Sequence, residues 1–202
     1  YINPNSPNVD LAVKLALQYW INSSEPRRRT IVALTHAYHG DTVGAMSVSE
    51  DSVFTRAFTP LLFQVERADA PYCYRCPLGL ERRSCRIDCL SDLEQTLARL
   101  SDTAAAVIVE PMLQGAGGMH VYSPLVVQHL ASLARAHGAL VILDEIATGL
   151  WRTGSLWAAD QCDVVPDILC IGKALTGGYL TLAAVLTSAS VAERVDASAA
   201  GA

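Results

Sequence analysis

The sequence lacks the features by which a chain enters a membrane or binds a nucleic acid. No run reaches the roughly 18 to 20 uninterrupted apolar residues of a membrane-spanning helix. No basic segment followed by an apolar one opens the chain, as it does in a secretory signal. The formal net charge of −5 gives no general attraction to nucleic acid or anionic lipid. We therefore expect a cytoplasmic protein with neither a nucleic-acid nor a membrane partner.

Internal repeats and long linkers are absent as well. The 202 residues suit one domain, and a composition of 51% hydrophobic and 17% charged residues provides for a large core. The one compositional break is a cysteine-rich loop at about residues 66–90. The sequence has no initiator methionine and ends in a run of small residues, so we expect it to be a piece of a longer protein.

Helix-like and strand-like segments alternate along the chain. The apolar spacing predicts helices over residues 9–21, 91–100 and 123–138, and strands over 30–34, 105–110, 139–145 and 167–171. Ser91 and Glu94 predict a capping box at the start of the second helix. Ser123 before Pro124 predicts the start of the third helix, and Gly138 predicts its end.

The predicted strands are nearly continuous apolar runs, which indicates burial on both faces. We therefore expect an α/β fold in which a mostly parallel sheet is flanked by helices. Ligands of such sheets bind beyond the carboxyl ends of the strands. The polar residues that follow the four predicted strands are, in chain order, Tyr38 and His39, Glu110, Asp144 and Glu145, and Lys173.

Together, these strand-end residues suit a pyridoxal phosphate site. The Lys173 amine can form a Schiff base with the cofactor aldehyde and, once substrate has displaced it, can carry a proton to and from the substrate carbon. Asp144 can pair with the pyridine nitrogen and keep it protonated. Tyr38 can stack on the ring. Ser6, just ahead of the first predicted helix, can hold the phosphate.

Four stretches of the sequence carry a family resemblance. They are "AYHGDTVGAMSV" (37–48), "VEPMLQGAGGM" (109–119), "LDEIATGLWRTG" (143–154) and "PDILCIGKALTGGYLTLAA" (166–184). Together they resemble the class III aminotransferases of fold type I over nearly the whole chain. The resemblance implies a pyridoxal 5'-phosphate enzyme whose Schiff-base lysine is Lys173 and whose pyridinium-pairing aspartate is Asp144. Tyr38 corresponds to the tyrosine that stacks on the cofactor ring and contacts substrate.

The same resemblance implies further cofactor and substrate contacts. Glu110 corresponds to a carboxylate near the ring edge, and Arg152 to an arginine that we place near substrate. The family usually shows Gly-Ser before the first helix to bind the phosphate, whereas this chain has Asn5 and Ser6 followed by Pro7. Leu150-Trp151 also replaces the family's usual Phe-Gly pair.

The resemblance also implies what this sequence does not include. Residues 1–202 correspond to an incomplete cofactor-binding large domain, without the family's N-terminal segment and C-terminal small domain. We expect the complete protein to be a homodimer with active sites at the subunit interface, and this chain alone to be inactive.

The six cysteines allow one more prediction. Cys162 and Cys170 lie in apolar segments and suit the core. The cysteine-rich loop holds a C-x2-C pair followed by a C-x3-C pair: Cys73, Cys76, Cys85 and Cys89. That spacing lets four thiolates converge on a structural zinc ion, and an iron–sulfur cluster uses the same ligands. Four reduced thiols are the alternative.

Two functional alternatives remain open at this point. The nearer one concerns substrate, since class III aminotransferases acting on an ω-amino acid or a diamine share these motifs. The farther one is a non-catalytic interaction module on the same fold, in which a metal ion bound by the four cysteines stabilises the loop.

Overall fold

The structure is a computed structural model that describes residues 6–81 and 83–196. Its α-helices are α1 (Ser6–Asn22), α2 (Val43–Val48), α3 (Ser91–Arg99), α4 (Pro124–Ala136), α5 (Ala158–Cys162) and α6 (Ala189–Asp196). Its strands are β1 (Thr30–Leu34), β2 (Glu66–Ala68), β3 (Ala104–Val109), β4 (Leu113–Gln114), β5 (His120–Val121), β6 (Leu140–Asp144), β7 (Ile168–Ile171) and β8 (Ala184–Thr187). Short 3-10 turns occupy Arg56–Leu61, Asp88–Leu90 and Lys173–Thr176.

Six of these strands form one sheet, in the order β2-β1-β3-β6-β7-β8. All neighbours are parallel except β7 and β8, which pair antiparallel. The predicted mostly parallel α/β sheet is thus confirmed. Strands β4 and β5 form a separate antiparallel pair.

Helices cover both faces of the sheet, and each face has its own apolar core. Strand β3 shows the division: Val107 and Val109 pack on one side with residues of α3 and α4, while Ala106 and Ile108 pack on the other with residues of α1. All six residues of β3 are buried. Burial on both faces explains why the strand sequences are continuously apolar.

The helix boundaries confirm one capping prediction and correct the other. Ser123 caps α4 by accepting the Leu125 N–H (3.3 Å), and Gly138 follows the helix with a φ of +74°. The capping box at α3 was a wrong prediction. Leu90 is the N-cap residue and no side chain caps that end, because a 3-10 turn feeds directly into the helix and places Ser91 inside it.

The cysteine-rich segment is more structured at its ends than the sequence indicated. Its first residues form β2, which adds to the edge of the sheet beside β1. Strand β2 has only three residues, and two of them are charged. It is therefore too short and too polar for its sequence to show the pattern of a strand. Within the described ranges, none of the helices is long and apolar enough to cross a bilayer.

Candidate active site

Four neighbouring strands, β1, β3, β6 and β7, run parallel and end at one edge of the sheet. A cleft opens at this edge, as expected for a parallel sheet. Its lining residues come from all four strand ends: Tyr38, His39, Gly40, Glu110, Ala116, Asp144, Ile146, Ala147 and Lys173. The structure thus brings together Tyr38, Glu110, Asp144 and Lys173, the four described strand-end residues for which the sequence predicted a role.

Asp144 is the last residue of β6, and its carboxylate is held on both oxygens. Oδ2 lies 2.7 Å from His39 Nδ1, and Oδ1 accepts the Ile146 N–H at 3.1 Å. Asp144 is only 3% exposed. Its carboxylate therefore sits in the cleft wall in a fixed orientation.

His39 is a site residue to which the sequence analysis assigned no role. Burial by itself lowers the pKa of His39, but the hydrogen bond to Asp144 and the charges of Asp144 and Glu110 outweigh it, so the pKa is raised. Asp144 thus stabilises the protonated form of the imidazole, and its carboxylate accepts the Nδ1–H. Among the described residues, His39 Nε2 is buried without a hydrogen-bond partner. Such an atom, in the wall of a cleft, is suited to meet a bound group.

Glu110 joins two loops at the cleft. Its Oε2 accepts the Tyr38 N–H (3.2 Å), and its Oε1 accepts the Gly115 N–H (3.1 Å). Burial raises the pKa of Glu110 to about 7, helped by the charge of Asp144 and opposed by His39 and the two backbone N–H groups. The carboxyl therefore changes its protonation state near neutral pH while holding the loop that carries Tyr38.

Tyr38 is half-buried and its hydroxyl donates to Asp41 Oδ1 at 2.7 Å. Lys173 begins the 3-10 turn that follows β7, and its backbone has a φ of +40°. A non-glycine residue in this left-handed region is uncommon and is a mark of functional sites. Its place at the end of β7 brings its amine to the cleft that Asp144 and Tyr38 line.

The beginning of α1 lies at the same edge of the sheet. Asn8, in the first turn, donates to the carbonyls of Ile171 (2.9 Å) and Ala184 (3.0 Å). Ile171 is two residues before Lys173, so the α1 N-terminus is fixed close to the lysine. Of the predicted phosphate-binding residues, Asn5 and the Ser6 side chain lie outside the described residues.

Comparisons with known proteins agree with this geometry. The chain matches the family Aminotransferase class-III over residues 2–202. The chain belongs to the class III aminotransferases. A curated relative in this family, adenosylmethionine-8-amino-7-oxononanoate aminotransferase of Geobacter sulfurreducens, is 39% identical over 95% of this chain and 42% of its own length. The chain thus spans about two fifths of the length of that relative.

Solved class III aminotransferase structures share the fold at high similarity. An amine transaminase from an uncultivated Pseudomonas species, in its PLP-bound form, has a TM-score of 0.89 and 36% identity, covering 95% of this chain and 44% of that one. Adenosylmethionine-8-amino-7-oxononanoate aminotransferase from Methanocaldococcus jannaschii has a TM-score of 0.82 and 34% identity, covering 96% and 42%.

The structure places Arg152 elsewhere than at the cleft. It is exposed in the loop after β6 and is not among the residues that line the cleft. The loop's first residues, Ile146 and Ala147, do line it. A contact between Arg152 and substrate stays a prediction that the resemblance alone supports.

The four cysteines of the cysteine-rich loop lie near one another but show no metal-binding arrangement in the part of the loop that the structure describes. Burial raises the pKa of Cys89 to about 11, with smaller contributions from nearby Cys85, Cys73 and Cys76. In the described parts of the chain, however, no group of three or more His, Cys, Asp or Glu side chains is arranged to hold a metal ion. Cys73 is exposed and hydrogen-bonded to β5 through its backbone, whereas Cys89 is half-buried in a 3-10 turn. The structure has four free thiols instead.

Proposed function

We propose that the protein is a pyridoxal 5'-phosphate-dependent aminotransferase that transfers the amino group of S-adenosylmethionine to 8-amino-7-oxononanoate. The product is 7,8-diaminononanoate, a step of biotin biosynthesis. The observation that carries the proposal is the cleft in which Lys173, Asp144 and Tyr38 meet at neighbouring strand ends. The names of curated relatives, 36–45% identical to this chain, support the choice of substrates.

The residues present fit this cofactor. A primary amine, a buried carboxylate and an aromatic ring share one cleft, and the N-terminus of a 17-residue helix is fixed beside it. In the proposal, Lys173 attaches the cofactor, Asp144 pairs with its ring nitrogen, Tyr38 stacks on the ring and Glu110 lies near the ring edge. Asn5 and Ser6 hold the phosphate, since backbone N–H groups and the helix dipole at the start of a helix favour an anion.

When bound, pyridoxal phosphate supplies an aldehyde that takes up the amino group and a ring that accepts electrons from the substrate carbon. The protein supplies acid–base chemistry and charge. Lys173 Nζ accepts the proton from the amine-bearing carbon of the donor and returns a proton to the acceptor in the second half-reaction. Asp144, held in one orientation by its contact with His39, favours a positive charge at the paired nitrogen.

Substrate binding and assembly belong to the same proposal. The donor carries a sulfonium cation, which an aromatic wall such as Tyr38 attracts. We place Arg152 near substrate in the complete protein, which we propose is a homodimer with active sites at the subunit interface. No nucleic acid or membrane takes part.

A different donor is the second candidate. The structures of ω-transaminases and amine transaminases match this chain with TM-scores of 0.89, above the 0.82 of the adenosylmethionine-dependent enzyme. This favours an ω-amino acid or a diamine as the alternative substrate.

The test is a single-turnover spectrum of the full natural chain loaded with pyridoxal phosphate. S-adenosylmethionine should bleach the visible band of the bound cofactor, and 8-amino-7-oxononanoate should restore it. Bleaching by ornithine or 4-aminobutyrate, with S-adenosylmethionine inert, would contradict the proposed donor and leave a class III aminotransferase of other specificity. Absence of any visible band would favour the non-catalytic module.

A further inference from the structure

The loop over residues 146–157 begins in the cleft and ends at helix α5. Ile146 and Ala147 line the cleft, and the Ile146 N–H donates to Asp144 Oδ1 at 3.1 Å. The position of this loop therefore sets both a wall of the cleft and one of the two hydrogen bonds that orient Asp144.

Glu145, whose side chain is not part of the cleft lining, connects the two ends of this loop. The residue is 1% exposed. Its Oε2 accepts the Ala158 N–H at 2.7 Å, and its Oε1 accepts the Ala159 N–H at 2.8 Å. Thr148 Oγ1 donates to Oε2 at 3.5 Å. The carboxylate thus ties the residue after Asp144 to the first turn of α5, on the far side of the loop.

The loop between these ends is tightly folded and locally strained. Leu150 N–H donates to the Leu156 carbonyl (2.7 Å), and Trp151 N–H donates to the Ser155 carbonyl (3.1 Å). Leu150 and Trp151 have φ values of +58° and +70°, which is unfavourable for two consecutive residues with side chains. A conformation of this kind persists only where the surrounding contacts hold it. The buried Glu145 carboxylate supplies such contacts at the base.

We propose that Glu145 is a positioning residue, a latch that holds the 146–157 loop closed and through Ile146 fixes the orientation of Asp144. The contacts by which Glu145 holds the loop do not depend on the reaction that the protein catalyses. The effect of Glu145 on Asp144 rests on the proposed function. Without these contacts, the loop loses its fixed conformation, the backbone around the exposed Arg152 can adopt the extended form that a protease cleaves, and the cleft wall at Ile146 and Ala147 loosens.

The test compares Glu145→Gln with a matched control in the same helix end. Glutamine retains one acceptor oxygen but presents an amide NH2 to a backbone N–H that needs an acceptor. The control is Asp160→Asn: Asp160 is exposed, and its carboxylate accepts the Trp157 N–H (3.2 Å) rather than either N–H group that Glu145 binds. Thr148→Val, which removes only the longest of the three bonds, gives a milder version in case Glu145→Gln does not fold.

The first readout is trypsin cleavage after Arg152 in the full natural chain without cofactor, followed by mass spectrometry. Loss of one buried hydrogen bond, with an amide NH2 left facing a backbone N–H, should raise this cleavage rate by about tenfold or more in Glu145→Gln. We expect an intermediate rise in Thr148→Val and a change of less than about twofold in Asp160→Asn. Equal cleavage rates in Glu145→Gln and the control would overturn the latch.

The second readout is kinetic and uses the loaded enzyme. A positioning residue acting through Asp144 should lower kcat by about tenfold or more, with a smaller change in KM for the donor. Unchanged kcat in a Glu145→Gln protein whose loop is cleaved faster would overturn the effect on Asp144. Since cleavage is measured without cofactor or substrate, it tests the latch even if the proposed reaction is wrong.

Discussion

His39 and Asp144 form a buried pair, with Nδ1 and Oδ2 2.7 Å apart and both residues 3% exposed. His39 follows β1 and Asp144 ends β6, so the pair crosses β3, which lies between those strands in the sheet. Asp144 and Glu110 raise the pKa of His39 against the effect of burial, so the pair favours the protonated imidazole more than a free histidine would. The short hydrogen bond also fixes the orientation of the Asp144 carboxylate.

We predict that His39→Ala slows turnover by about 10- to 100-fold, since a hydrogen bond to a charged group contributes about 1.5–3 kcal/mol. His39→Asn should recover part of the loss, because its amide donates from nearly the position of Nδ1. The measurement is kcat for both variants, with bound cofactor quantified by absorbance. Equal kcat in His39→Ala and the parent protein would remove His39 from the site.

Glu110 should make stability depend on pH. Its pKa is about 7 in the folded protein against 4.5 for an ordinary glutamate, so the folded state binds a proton that the unfolded state releases between these values. Stability should therefore fall as pH rises from about 4.5 to 7, and Glu110→Gln should remove this loss, worth ~3 kcal/mol.

The measurement for Glu110 is the melting temperature of parent and Glu110→Gln proteins at pH 5 and pH 8. The variant's advantage should grow by several degrees toward pH 8. Glu94→Gln, at an exposed position of α3, serves as the control and should show no such growth. A Glu110→Gln difference that is the same at both pH values would contradict the buried, proton-binding carboxyl.

A further prediction concerns the stability that the core between α3 and the sheet provides. Leu97 of α3 is fully buried against the sheet, whereas Leu125 of α4 is 59% exposed. Leu97→Ala should lower the free energy of unfolding by about 2–5 kcal/mol, through lost burial and the cavity left behind. Leu125→Ala should change it by about 0.5 kcal/mol or less. Similar losses in the two variants, measured by chemical denaturation, would show that α3 does not pack as described.

The sequence was sufficient to predict the sheet and the meeting of strand-end residues. Continuous apolar runs are typical of strands buried on both faces, and parallel strands necessarily bring Glu110, Asp144 and Lys173 to one edge. Strand β2 escaped prediction because it is short, polar and stabilised by pairing to β1. The prediction of Ser91 as the helix cap was wrong because the sequence around it does not reveal that a 3-10 turn precedes the helix.

The contacts that orient the site were beyond sequence reasoning. The hydrogen-bond partner of His39 is 105 residues away in the chain, and that of Asn8 is 163 residues away. The farther partner of Glu145 is 14 residues away. Only the fold makes such pairs adjacent. The cysteine spacing shows the same limit, since spacing permits four thiolates to converge but does not determine where the loop holds them. The expected extent of the missing segments stays a prediction.

Attachment of the cofactor to Lys173 is the central claim, and Lys14 is the one other lysine in these 202 residues. Lys14 is exposed on α1, away from the cleft, so Lys14→Ala is the matched control. The measurement is borohydride reduction of the protein loaded with pyridoxal phosphate, followed by peptide mass spectrometry. The modified peptide should contain Lys173 in the parent and in Lys14→Ala, and Lys173→Ala should yield none. A reduced cofactor on Lys14, or no modification at Lys173 in a protein that shows the visible cofactor band, would contradict the account.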